Sequence, residues 1–337
     1  MAKTQINEPK PYVVGIDVGG TNSVIGIVDT RGNILRSSSI KTAAHLDVED
    51  FVNDLAAEIK KIADAENVYD KIHGIGIGAP NGNYFTGSID FAPNLPWRGR
   101  IPLAHMLGEA TGIPVALTND ANAAAIGEMT YGAARGMKDF IEITLGTGVG
   151  SGIVVGGKLV YGHDGFAGEI GHTIIRRNGR MCGCGRQGCV ETYCSATGVA
   201  RTAREFLEIR EDASLLRELP IEEVTSKDVY DAAMKGDKLA IEIFESAGTI
   251  LGEALADAVA YTSPEAIILF GGLTRAGDFI LEPTKRHMEK NLLNIYRGKV
   301  KILVSELSES DAAVLGASAM GWEADRTHLE KLIKSDD

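Results

Sequence analysis

YVVGIDVGGTNSVIGIV, residues 12–28, reads as a strand, a glycine turn and a second strand. Val and Ile dominate both runs, and Gly19-Gly20 between them marks the turn. A turn at Thr30–Asn33 and a third run, Ile34–Ile40, complete a meander. The same design returns further on. Asp139–Leu145 is a strand, Gly146-Thr147-Gly148 a turn, Gly150–Val155 a strand, Gly156-Gly157-Lys158 a second turn, and Leu159–Tyr161 a third strand. Both first turns join Gly to Thr, and strands of the same lengths follow. Two copies of one meander, each opening its own half, point to an internal duplication.

Each meander leads into strands alternating with helices, the mark of layered α/β domains. In the first half, Val48, Phe51, Val52, Leu55, Ile59 and Ile62 recur at helical spacing. Ile72–Gly78 and Pro114–Thr118 read as strands, separated by a Gly/Pro/Asn-rich loop, Ala79–Gly99. A small-residue helix, Ala121–Glu128, comes next. In the second half, a long helix from about Lys238 to Tyr261 is stopped by Pro264. Ile267–Phe270 is a buried strand running into Gly271-Gly272. A helix near Phe279–Leu293, a strand at Val300–Val304 and a last helix at Ala312–Trp322 follow. The expected domains are 1–118, completed by a C-terminal helix over 312–325, and 119–311.

Composition narrows the function classes. At roughly 150 residues per domain, 337 residues suggest about two domains. Gly is in excess, 40 residues, while Pro is only 10, so the glycines serve turns and close backbone approaches in a folded protein. The net charge of −12 argues against general affinity for nucleic acid or anionic membranes. Met1–Pro11 is polar and does not read as a signal peptide. The longest uncharged apolar-looking stretch, Ile143–Gly157, is Gly-rich and falls short of the about 20 apolar residues that span a bilayer. A cytoplasmic protein is expected.

Asp17-Val18-Gly19-Gly20-Thr21-Asn22 closes a strand with a carboxylate and a glycine turn. Two glycines let several N–H groups point at one anion, and Asp17 suits a hydrated Mg²⁺ bridging phosphates. Gly146-Thr147-Gly148 repeats the device. One loop from each half, facing each other, would clamp a nucleotide in a cleft between domains. Gly271-Gly272 closes a further strand and would let an adenine and its ribose lie against backbone. Gly74-Ile75-Gly76-Ile77-Gly78-Ala79 matches a dinucleotide fingerprint, but Pro80-Asn81-Gly82 opens a loop where that motif needs a helix. No Walker string is present. Asn119-Asp120 lies at a strand-to-helix junction, where Asp120 serves either as a helix cap or as a catalytic carboxylate.

All four cysteines fall between Cys182 and Cys194. His172-x9-Cys182-x-Cys184-x4-Cys189 supplies three thiolates and an imidazole, a closed shell for structural Zn²⁺. Cys194 is left over as a buried thiol. Glu169 and Glu191 flank the cluster, are not needed by the zinc shell, and are free to accept hydrogen bonds from a polyhydroxylated ligand.

Gly168-Glu169-Ile170-Gly171-His172, followed by Cys182-Gly-Cys-Gly-Arg-Gln-Gly-Cys189-Val-Glu191, resembles the signature of the ROK family of repressors and sugar kinases. Asp17–Asn22 resembles that family's first phosphate motif, and Asn119-Asp120-Ala-Asn-Ala-Ala its catalytic motif. The resemblance runs from Tyr12 to about Trp322. It implies an actin-like ATPase fold (ribonuclease H-like), two α/β domains around a cleft, and ATP- and Mg²⁺-dependent phosphorylation of a hexose at its 6-hydroxyl. Glucose is the foremost candidate. Asp120 matches the family's general base. Asn119, Asp120, Glu169, His172 and Glu191 would hold sugar hydroxyls, and Asn94, in Ala92–Trp97, resembles a further contact. The resemblance also implies that His172 puts one ring nitrogen on zinc and the other toward the sugar. Asn81 departs from the pattern, since many relatives have Gly directly after Pro, and would alter contacts at one sugar position. A homodimer is the family expectation.

Rival readings stay open on sequence. The family includes transcription regulators with a DNA-binding region ahead of the first phosphate motif, but 16 residues precede Asp17 and the net charge is −12. Within enzymes, an N-acetylhexosamine kinase or a fructokinase is the alternative. Polyphosphate is an alternative phosphoryl donor.

Overall fold

The computed structural model describes residues 10–307 and 309–324. Residues 1–9 of the polar N-terminus and position 325 of the last helix, as read from sequence, lie outside the described residues. The chain forms two compact units. One holds the chain to Arg135, Tyr161–Ala167 and the chain from Glu306 onward; the other holds Gly136–Val160 and Gly168–Ser305.

The first unit opens with β1 (Tyr12–Val18), β2 (Ser23–Asp29) and β3 (Ile34–Ile40), the meander expected from the Gly turns. Helix α1 (Val48–Ala65) follows. The Asp47 carboxylate caps it by accepting the Glu49 N–H at 2.8 Å, and the apolar stripe from Phe51 to Ile62 is buried. Then come β4 (Ile72–Ala79), the short strands β5 (Gly82–Asn83), β6 (Ser88–Asp90) and β7 (Arg100–Ile101), helix α2 (Leu103–Thr111), β8 (Val115–Asn119) and α3 (Asp120–Tyr131).

The second unit contains β9 (Phe140–Leu145), β10 (Val149–Val155) and β11 (Lys158–Leu159), then α4 (Glu191–Cys194), α5 (Ala196–Ile209), α6 (Ser226–Met234) and α7 (Lys238–Thr262). Strand β12 (Ala266–Phe270), helix α8 (Asp278–Asn291) and β13 (Lys301–Val304) complete it, and α9 (Glu309–Gly321) returns to the first unit.

The two main sheets share one design. Their orders are β3-β2-β1-β4-β8 and β11-β10-β9-β12-β13. In each, the meander pairs antiparallel and the next two strands add in parallel. The duplication read from two Gly-Thr turns therefore extends to whole sheets.

The glycines of β4 have a packing role. Ile75 and Ile77 are fully buried, while Gly74 and Gly76 alternate with them on the face that α9 covers. A Cβ on Gly76 would collide with the carbonyl of Ala317, and one on Gly15 in β1 with that of Val314. Only a glycine-paved sheet lets that helix backbone lie so close.

Three features differ from the sequence reading. The stretch 79–99, read as a loop, contains β5 and β6, and β7 follows it; strands of two or three residues carry too little alternation to register. Helix α2 was not foreseen. The first unit continues to Arg135 and includes α3, whereas the sequence placed a boundary after Thr118. Gly127 of α3 and Gly316 of α9 pack backbone to backbone, which ties α3 to the first sheet's covering helix. Among the described residues, no helix is long and apolar enough to cross a membrane.

Candidate active site

In the first unit the parallel register brings the candidate carboxylates to one sheet edge. Asp17 on β1 pairs with Gly78 on β4, and Gly78 pairs with Thr118 on β8, so Asp17 and the Asn119-Asp120 junction lie at neighbouring strand ends. The carboxyl ends of strands are where α/β sheets bind ligands. Asn119, not Asp120, caps α3: its side-chain oxygen accepts the Asn122 N–H at 2.7 Å. The capping alternative for Asp120 thus falls to its neighbour. Asp120 accepts the adjacent Ala121 N–H at 2.9 Å and keeps solvent contact.

Burial by surrounding protein raises the Asp120 carboxyl above the ordinary carboxylate range. Asp17 is pushed up to about 6, first by burial and then by the charge of Asp120. A carboxyl whose pKa rises on folding stabilises the protein fully at low pH. That stability is lost as pH climbs through about 6, because the charged form is the disfavoured one. At 1.36 kcal/mol per unit, the burden at pH 8 is at most about 3 kcal/mol. Asp17→Asn should therefore raise the melting temperature of the ligand-free protein at pH 8 and leave it nearly unchanged at pH 4. A drop in Tm, or a pH-independent change, would contradict this account.

The first loop itself is a tight turn in which the Gly19 N–H donates to the Asn22 carbonyl at 3.1 Å. Thr21 and Asn22 are exposed at its tip. A Cβ on Gly20 would collide with the carbonyl of Asn94, so the first glycine loop and the Asn94 turn touch. Asn94 is exposed, and its turn is anchored by Trp97, a buried ring that packs on Phe51 and donates to the His45 carbonyl at 3.1 Å. Asn81 has φ +52°, a left-handed conformation that suits glycine. Its amide donates to the Asp90 carbonyl at 3.0 Å, so the departure noted in the sequence braces the neighbouring backbone.

In the second unit, Gly146-Thr147-Gly148 joins β9 to β10. The Gly146 N–H donates to the Gly148 carbonyl at 3.1 Å, and α5 is fastened to the loop by Thr197, whose hydroxyl donates to the Thr147 carbonyl at 2.7 Å. Gly146, Thr147 and Gly272 line one cavity of about 500 Å³, within the range of small-molecule pockets. Gly271, at φ +100°, passes so close to Leu145 that a Cβ there would press on the Leu145 backbone. The cavity also holds residues the sequence reading missed: Lys227, Tyr230 and Asp231 of α6, and Arg275. The glycine loops carry no Lys or Arg, and the cations of this cavity come from α6 and the turn after β12. Lys227 pairs with Asp231 at 2.5 Å on the same helix.

His172, Cys182, Cys184 and Cys189 converge as expected, with their ligand atoms all within 4.8 Å of one another. The His172 Nδ1 to Cys182 Sγ distance is 3.7 Å, and Cys184 and Cys189 Sγ are also 3.7 Å apart. Zinc bond lengths of about 2.3 Å to sulfur and 2.0–2.1 Å to nitrogen give tetrahedral edges of roughly 3.5–3.8 Å. The donor set and its spacing thus fit Zn²⁺. Turning Nδ1 inward leaves Nε2 as the outward nitrogen of His172. Cys194 is a buried thiol that donates to the Ala247 carbonyl at 3.4 Å, away from the cluster.

Glu191 is less free than the sequence suggested. One oxygen accepts the Val149 N–H at 3.1 Å, and the other lies 3.6 Å from Cys182 Sγ. A Cβ on Gly148 would meet that carboxylate, so a larger residue there would push Glu191 aside. Glu191 therefore bridges the cysteine cluster and the Gly146–Gly148 loop. Glu169 is exposed at the head of the short helix Ile170–His172. Ser151 fixes it from below, its hydroxyl bonded to the Gly168 carbonyl and accepting the Ile170 N–H.

Comparison with known proteins adds to this geometry. The sequence model of the ROK family matches residues 13–323. The glucokinase of Thermotoga maritima is 35% identical over 316 residues, covering 93% of this chain and 98% of that protein. The glucokinase of Halalkalibacterium halodurans is 38% identical, covering 92% and 94%. The crystal structure of a ROK family glucokinase from Streptomyces griseus, in complex with glucose and AMPPNP, superposes with a TM-score of 0.77. It is 33% identical, with 93% of this chain and 100% of that one covered.

Proposed function

The chain belongs to the ROK family, and from that membership and the site we infer that it is a sugar kinase of the actin-like ATPase fold. It binds ATP and transfers the γ-phosphoryl group to glucose. The observation that carries this reading is the sheet edge of the first unit, where Asn119 takes the helix cap and leaves Asp120 as a carboxylate of raised pKa beside Asp17.

Phosphoryl transfer asks mainly for positioning and electrostatic stabilisation. In our reading Asp120 accepts the proton of the sugar 6-hydroxyl as that oxygen attacks phosphorus. Asn94, Asn119, Glu169, His172 through Nε2, and Glu191 would hold sugar hydroxyls. Asp17 would hold Mg²⁺ through its water shell, the metal supplying neutralisation of phosphate charge. Gly19, Gly20, Thr21 and Asn22 in one loop, and Gly146, Thr147 and Gly148 in the other, line the phosphates. Gly271, Gly272 and the cavity behind them take the base and ribose. His172, Cys182, Cys184 and Cys189 hold a structural zinc that stiffens the Glu169–Glu191 segment. A cytoplasmic homodimer completes the proposal.

A coupled ADP-release assay across glucose, mannose, fructose, N-acetylglucosamine and N-acetylmannosamine tests it, with ATP and polyphosphate compared as donors. The highest kcat/KM is expected for glucose with ATP. A better N-acetylhexosamine would overturn the glucose assignment, and no turnover of any hexose would overturn the kinase reading.

A further inference from the structure

Asn94 sits in a turn whose backbone is held by one side chain that the proposed chemistry does not use. The carbonyls of Ala92, Pro93 and Leu95 converge on a single nitrogen, Arg98 Nη1, at 3.4, 3.3 and 3.2 Å. Carbonyl dipoles gathered this closely repel one another, and a cation among them offsets that repulsion. The Asn94 carbonyl is turned instead toward Gly20, on the first phosphate loop. The turn's two ends are pinned separately. Upstream, Asn81 holds the Asp90 carbonyl, and the Phe91 N–H donates to the Gly99 carbonyl at 2.9 Å. Phe91 itself adopts φ +53°, a conformation that bulky residues rarely enter unless their surroundings enforce it. Downstream, Trp97 is buried and bonded to the His45 carbonyl. Between these anchors the backbone on both sides of Asn94 is gripped by the guanidinium.

We propose that Arg98 is a positioning residue for Asn94: by clamping the carbonyls that flank it, Arg98 presets the Asn94 amide for a sugar hydroxyl and thereby sets sugar affinity. The inference rests on the sugar-kinase reading and on Asn94 as a sugar contact. Arg98 makes no contact with substrate in this scheme. Its effect should appear in sugar binding and spare the phosphoryl-transfer step. The guanidinium's planar fork matters as well as its charge, because Lys offers a point charge on a longer, looser stem.

Arg98→Ala should raise the glucose KM by about tenfold, the scale of losing hydrogen bonds from a charged donor. kcat and the ATP KM should stay within about twofold. Arg98→Lys should fall between wild type and the alanine variant, and it carries the test should the alanine variant fail to fold. Adding Arg98→Ala to Asn94→Ala should cost less than about a further twofold, since the clamp then has nothing to position. Calorimetric titration of glucose without nucleotide should reproduce the order. An unchanged glucose KM in an active wild-type background would overturn this inference alone. So would a full additional loss on the Asn94→Ala background, or a kcat that falls as far as affinity. A wild-type protein that phosphorylates no hexose would instead remove the kinase reading on which it rests.

Discussion

Asp120→Asn lowers kcat at least about a hundredfold while glucose still binds, because general-base assistance is worth roughly 10²–10⁴ in rate. The substitution preserves shape. Its side-chain oxygen can still accept the Ala121 N–H, and the cap on α3 comes from Asn119, so the helix start is not at risk. What is removed is the ability to take a proton. A second signature follows from the coupling between the two carboxylates. Asp17 is pushed up to about 6 by burial and by the negative charge of Asp120. With that charge gone, Asp17 should ionise at lower pH. In the wild type, kcat/KM should fall as pH drops through about 6, where Asp17 takes up a proton. In the variant, the acid limb of its residual activity should move downward. Single-turnover kinetics with glucose affinity measured alongside decides the matter. Near-normal turnover would remove Asp120 as the base, and a large loss of glucose binding would mean that its role is to hold the sugar.

Much of this site was legible because its parts are local in sequence. Asp17–Asn22 and Gly146–Gly148 announce themselves by two glycine turns in equivalent places, and the sheets later show equivalent strand orders. The His172–Cys189 cluster is legible for the same reason: three of its four members lie within eight residues, at a spacing that a single small ion would require of its thiolates. The cavity proposed for the nucleotide was only half legible. Gly146, Thr147 and Gly272 could be named, but Lys227, Tyr230 and Arg275 arrive from α6 and the turn after β12 through tertiary packing, and no motif marks them.

Gly74, Gly76 and Gly78 teach a different lesson. Their spacing imitates a phosphate fingerprint, and the absence of a following helix was sufficient to reject it. The alternation of Gly with Ile in a buried strand carried the actual signal, a face reserved for a helix backbone. At Asn119-Asp120 the role of Asp120 was ambiguous, because Asp serves equally well as a helix cap or as a catalytic carboxylate. The ambiguity ends with β8, which runs through Asn119 and so fixes which of the two precedes the first helical turn.

Removing zinc should abolish sugar binding and weaken nucleotide binding together, because one residue links the two. Segment 172–191 contains no long helix or paired strand and is held by loop hydrogen bonds, such as those from the Ile175 N–H to the Gly188 carbonyl and from the Cys182 N–H to the Arg186 carbonyl. The bridges Ile174–Cys189 and Met181–Gln187 are isolated pairs, and Arg180 ties the segment to α5 through Thr202 and Glu205. The four ligand atoms would supply the remaining cross-links, and structural zinc contributes on the order of 10 kcal/mol where a small fold depends on it. Without the ion, three thiols and an imidazole have little reason to stay within 4.8 Å of one another. Cys182 then ceases to face Glu191, and the Glu191 carboxylate is released from the Val149 N–H. Disorder reaches the Gly146–Gly148 loop by that path, so the KM for ATP should rise along with that for glucose. Cys189→Ser should bind less than one equivalent of zinc by elemental analysis and lose at least about tenfold in kcat/KM for both substrates, as loss of support around a metal commonly does. Chelation of the wild type under reducing conditions should match it, and added zinc should restore activity. Full activity in a protein shown to be metal-free and fully reduced would refute the structural role, and a loss confined to glucose would break the proposed link through Glu191.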